Sequence, residues 1–184
     1  MSAISTSLNS LSFDERLAQK QRRLQEARPA EAASGAMPSD RSQWWPLAGL
    51  APMTRVRTIF GDVHAIALRK GDEVLTASGE YKPILWLNRV LLDAAFLAEK
   101  PDSHPVCIRA GAFGGKSPAH DIMVSPRQIV EDRSGDLVEA AALIGTPGVT
   151  RFCETGLSYT MFHLGRPETV IVEGARLRTA PPVN

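Results

Sequence analysis

A chain of 184 residues has room for one globular domain and a flanking segment, and an apolar fraction of 43% with 22% charged residues suits such a domain. A net charge of +1 supplies no global field that would favour nucleic acid or an anionic membrane. No apolar run approaches the roughly 20 residues that span a bilayer, and the N-terminus MSAISTSLNSLSFDERLAQ lacks the basic and apolar regions of a secretion signal. A cytoplasmic protein without nucleic-acid or membrane partners is therefore expected.

Thirteen prolines and fourteen glycines imply many turns, which favours short strands over long helices. The two cysteines, Cys107 and Cys153, form no C-x-x-C pair, so neither a structural zinc site nor any other metal is expected. They sit in the apolar runs PVCIRA and TRFCET and read as small buried residues rather than as a disulfide.

Residues 1–45 read as an N-terminal tail and 46–180 as a β domain. Residues 1–11 are rich in Ser, Thr and Asn and are expected to be disordered. Ser12-Phe13-Asp14-Glu15 is a capping box, in which the Ser hydroxyl and Glu carboxylate satisfy free N–H groups at a helix start. The helix expected over 13–28 carries Phe13, Leu17, Leu24 and Ala27 on one narrow stripe and ends at Pro29. It reads as a solvated helix or as a short docking element for a protein partner. Residues 29–43 (PAEAASGAMPSDRSQ) read as a linker.

From Trp44 onward short strands alternate with turns. TRVRTIF (54–60) and VHAIAL (63–68) flank a Gly61-Asp62 hairpin turn. EVLTA (73–77) follows Lys70-Gly71-Asp72, and KPILWLNRVLL (82–92) follows Ser78-Gly79-Glu80. Further strands are expected at 105–110, 121–124, 149–154, 158–164 and 169–173, and a short helix over LVEAAALI (137–144). Seven or more short strands at this spacing argue for an all-β fold.

The order of these pieces resembles the Hint domain, the module shared by hedgehog autoprocessing domains and inteins, in its bacterial stand-alone form. The likeness covers about residues 48–178. It is carried by TRVRT (54–58) with Gly61, HAIALRKGDEVLT (64–76), PILW (83–86), PVCIRAGAFG (105–114), DIMVSP (121–126), LIGTPGV (143–149) and the stretch 159–174, which resembles the family's closing hairpin. The resemblance implies a β-rich horseshoe of two related halves, with Trp86 filling the core.

It also implies a chemistry. In that family a cysteine thiol at the domain's first residue attacks the preceding carbonyl, and a histidine in a Ser/Thr-x-x-His turn protonates the scissile nitrogen. The pattern puts the cysteine at Gly49, which has no nucleophile. The turn begins at Ser125, and its histidine position holds Gln128. Glutamine can donate a hydrogen bond but cannot give up a proton near neutral pH. Losing the acid alone costs about 10²–10⁴ in rate; losing the nucleophile removes the route. The family's Tyr-x-His and Asp-x-His positions fall on Met161, Gly165 and Pro167. No cysteine precedes Cys107, so no shift of register restores a thiol.

Other candidates are weaker. Thr54 and Thr58 carry hydroxyls but match strand positions. His104 with Cys107, and Cys153 with His163, are Cys–His pairs by spacing, although three residues apart on a strand point to opposite faces. Lys116 in GGKSP lacks the spacing of a phosphate loop. Asn184 matches the residue that ends inteins, a match expected to be coincidence. Three readings follow: a degenerate Hint domain serving as a structural or interaction module without cofactor, an autoprocessing enzyme with an unrecognised nucleophile, and an unrelated all-β binding domain.

Overall fold

The computed structural model describes residues 48–180. The helix expected over 13–28, the linker over 29–43 and Asn184 lie outside them. Among these described residues, thirteen strands and one short α-helix follow in chain order. They are β1 (Arg55–Thr58), β2 (Gly61–His64), β3 (Glu73–Leu75), β4 (Tyr81–Pro83), β5 (Trp86–Leu92), α1 (Ala94–Glu99), β6 (Val106–Ile108), β7 (Ile122–Val124), β8 (Ile129–Glu131), β9 (Leu137–Glu139), β10 (Val149–Arg151), β11 (Leu157–His163), β12 (Thr169–Val172) and β13 (Ala175–Arg178). The all-β expectation holds.

An eight-stranded sheet runs β4-β3-β1-β12-β13-β8-β9, with β2 paired to β1. β10-β6-β7 form a second sheet, and β11 pairs antiparallel with β5 over seven residues. Valines and isoleucines drive this arrangement. Val56, Val74, Val106, Ile108, Val124 and Val172 are all fully buried in one cluster, and each such side chain contributes about 1.5–3 kcal/mol on burial. A second cluster of Leu92, Leu97, Leu157 and Tyr159 forms where α1 covers the β5–β11 pair.

Several local expectations give way to tertiary contacts. The first hairpin turns at Ile59-Phe60, because Thr58 pairs with Gly61, so Gly61-Asp62 begins β2 instead. VHAIAL stops being a strand at His64; Ala65–Ala67 is a 3₁₀ turn fixed by Ala65 N–H to Thr54 O (2.8 Å) and Ile66 N–H to Pro52 O (3.1 Å). The run 82–92 is two strands. Ile84 still exchanges hydrogen bonds with Gly71 and Asp72, whereas Leu85 N–H already turns to His163 O, so the chain changes sheets there. LVEAAALI is not a helix: Leu137–Glu139 pairs with β8, and only Ala140–Leu143 makes a 3₁₀ turn. Eight residues nucleate a helix poorly, and strand pairing wins. The stretch 159–174 is not one hairpin either. β11 belongs with β5, and the closing hairpin is β12–β13, with Val172 opposite Ala175 across Glu173-Gly174. Both turn residues have positive φ, 48° and 79°, as a tight two-residue turn requires. Trp86 is half-buried, not core; its ring stacks on His163 at 5.4 Å. Cys107 is half-buried and Cys153 exposed, so the reading of both as buried residues fails.

Candidate functional site

Residues Gly49–Ala51 form a short bridge between two sheets. Leu50 exchanges backbone hydrogen bonds with Thr160 of β11 (2.9 and 2.8 Å). On the other side Ala51 N–H donates to Met123 O (2.9 Å), and Ser125 N–H donates to Gly49 O (2.8 Å). The start of the domain is thereby held beside the Ser125 turn.

That turn is SPRQ, closed by Gln128 N–H to Ser125 O at 3.0 Å. Proline at its second position presets φ for the bend. Both Ser125 and Gln128 are buried. The Gln128 side chain aims its amide nitrogen at two backbone carbonyls, Arg178 O at 2.7 Å and Ile129 O at 3.0 Å. Its main-chain carbonyl accepts from Ala140 N–H (2.9 Å). Two carbonyl partners require the NH₂ end of the amide at that place, so Gln128 ties the turn to the end of β13.

Gly49, Gln128 and Met161 line one cavity, together with Thr160, Phe162 and the segment Arg178–Ala180. Its volume is about 10 Å³, the space of about one water molecule. Gly49 is buried, and a Cβ placed there would stand 2.8 Å from the Cβ of Tyr159 and 3.4 Å from Met161 Cγ. Tyr159 is itself buried, and that burial pushes its hydroxyl pKa far up. Positions 49, 128 and 161 thus share one cavity wall, and Ser125 is tied to Gly49 by the backbone bond above. Gly165 and Pro167 are elsewhere, on the exposed connection between β11 and β12. Gly165 has φ 91°, so its glycine answers a backbone demand of that bend.

The alternative nucleophiles are engaged. Thr54 Oγ1 donates to Met123 O (2.8 Å) and accepts from Met123 N–H (3.1 Å). Thr58 Oγ1 donates to Gly61 O and accepts from Phe60 N–H. Burial and then Asp121 raise the Cys107 thiol above its ordinary pKa, against a smaller opposing effect of Arg109, which keeps it in the poorly nucleophilic form. None of the four histidines lines the cavity. His64 Nδ1 meets Met53 O, His104 Nδ1 accepts from Glu154 N–H, and His163 stacks on Trp86. Within the cavity wall, Thr160 Oγ1 is buried and makes no hydrogen bond to protein. Among the described residues no group of three His, Cys, Asp or Glu side chains could hold a metal, and no helix is long and apolar enough to cross a membrane.

The second polar cluster was not legible in the sequence. Glu173 is buried in the β12–β13 turn, and the Arg55 guanidinium engages both its carboxylate oxygens. His120 adds a contact at 2.9 Å. Burial alone would raise the Glu173 pKa, but the bonds from Arg55 and His120 outweigh it and hold the carboxyl below its usual range.

A family model described as the Hint domain matches residues 48–183. Comparison with curated proteins finds no match. Among solved structures, the chain is similar to the gp41-1 intein, with 13% identity, TM-score 0.49, and coverage of 71% of this chain and 97% of that one. The MchDnaB-1 intein gives 13% identity and TM-score 0.49, with 70% and 98% covered. The Msm DnaB1 intein splicing domain bound with zinc gives 13% and 0.48, with 71% and 98% covered.

Proposed function

We propose that this chain, which belongs to the Hint domain family, keeps the fold without the acyl shift and serves as a structural or interaction module. One observation carries the reading: the group at the acid position, Gln128, is buried and directs its amide N–H groups at two backbone carbonyls. It acts as a strut between the Ser125 turn and β13. An acid that must donate to a scissile nitrogen needs a free proton aimed at it, and an amide supplies none. The packing at Gly49 agrees, since Tyr159 and Met161 stand where a side chain would project. Residues 13–28 are the segment through which a protein partner would dock.

The rival reading, autoprocessing by an unrecognised nucleophile, draws on Thr160. Its hydroxyl is free of protein partners and lines the same cavity as Ala48 and Gly49. A carrier fused ahead of the full chain tests both. The fusion is expected to keep its intact mass on standing and with added thiol. A split at the bond preceding Gly49 would overturn the module reading, and its loss in Thr160→Val would assign the nucleophile.

A further inference from the structure

The loop between β6 and β7 forms one wall of a polar groove of about 480 Å³. Phe113 and Ser117 of that loop face Glu131, Asp132, Arg133 and Arg176 across it. The loop is fastened to the β12–β13 turn by Ala119 N–H to Glu173 O (2.6 Å) and Ser117 Oγ to Gly174 O (3.3 Å). The third fastening is His120, whose side chain is 67% exposed over a Glu173 side chain only 4% exposed.

His120 Nδ1 stands 2.8 Å from Arg55 Nη2 and 2.9 Å from Glu173 Oε2. These two contacts make opposite demands. A guanidinium can only donate, so it needs a bare lone pair on Nδ1; an ionised carboxylate can only accept, so it needs Nδ1–H. One nitrogen cannot meet both at once. Arg55 stays charged throughout, and Glu173, held below the usual carboxylate range by Arg55 and His120 against its burial, stays ionised around neutrality. The ring is therefore the element that changes. From its own loop the neighbouring charge is Asp121, which accepts from Ala110 N–H at 2.9 Å and lies 3.7 Å from Arg109.

We propose that His120 is a protonation-dependent latch on the groove wall, exchanging Arg55 for Glu173 as its partner when the ring gains a proton. The neutral ring carries its hydrogen on Nε2 and accepts from Arg55. The protonated ring donates from Nδ1 to Glu173 Oε2, a charge-assisted bond that fastens the loop directly to the turn. Arg55 keeps its Nε bond to Glu173 Oε1 in both forms.

Nitrogen-15 NMR of the full chain tests this. Where the ring is neutral it is expected to carry its hydrogen on Nε2 alone, and where it is protonated both nitrogens carry one, with Nδ1–H bonded to Glu173. The Ala119 amide should have a protection factor about two- to fivefold higher with the ring protonated than with it neutral, a modest effect because the ring is solvated. His120→Asn, which has no such proton to gain and leaves the core untouched, should abolish the difference. A neutral ring carrying its proton on Nδ1, equal protection in the two forms, or a pH dependence of protection that persists in His120→Asn would each overturn the latch.

Discussion

The cavity at Gly49 and the cluster at Glu173 are built on opposite terms. The cavity is lined by a glycine, a methionine and an amide among its residues, and those three pack or brace backbone. The cluster lies outside that cavity, yet it gathers an arginine, a buried carboxylate and a histidine within hydrogen-bonding distance. Burial explains the contrast. A charge is tolerated at low exposure only when paired, and Arg55 supplies the pair for Glu173, whereas the Gln128 amide nitrogen is directed at two carbonyl oxygens. Ionisation survives where a counter-charge faces it.

The sharpest break of this contrast is to place a charge in the cavity. Gln128→Glu would set a buried carboxylate against Arg178 O and Ile129 O. It should destabilise the domain by about 3 kcal/mol at neutral pH, measured by urea unfolding, with part of the loss regained in acid as the group protonates. If the domain were indifferent to this change, Gln128 would not be a strut. A smaller effect is expected from Gly49→Ala, whose Cβ would lie 2.8 Å from that of Tyr159. Overpacking there should cost about 2 kcal/mol; an unchanged melting temperature would show that Tyr159 yields.

The least effect belongs to the cluster, and it concerns pH. Glu173 is held below the usual carboxylate range by Arg55 and His120, overcoming burial, and Glu168 is held below it by Lys82 and then Arg166. A carboxylate with a depressed folded pKa contributes stability above its unfolded value, near 4.5, and that stability is lost as pH falls through the folded value. Thermal melts should therefore decline as pH drops below about 4.5, and Glu173→Gln should flatten part of that decline. An equally steep decline in the variant would remove Glu173 from the account.

The all-β class and most strand positions were legible because turn residues and ordered blocks are local or ordered along the chain. Other features were not. α1 escaped notice although Asp93 caps it, its carboxylate accepting from Phe96 N–H; six residues give too short a period to see. The helix expected at 137–144 failed because Val130 and Val138 pair across strands, which no local propensity registers. Gly165 and Pro167, which the resemblance reaches only by counting along the chain, lie exposed on the bend after β11, where Gly165 has φ 91°. The Arg55–Glu173–His120 cluster joins three distant segments. No local pattern along the chain links these three residues.

The bridge at Gly49–Ala51 has a consequence for biosynthesis. Its partners are Met123, Ser125 and Thr160, so this piece of strand leaves the ribosome well before anything it can pair with. Leu50, nearly fully buried in the finished domain, bridges Val124 and Thr160, so in the nascent chain it waits for β7 before it pairs at all and for β11 before it is held on both sides. The first segment of the domain to be synthesised is thus among the last to be locked, and closure of the fold waits on nearly the whole sequence.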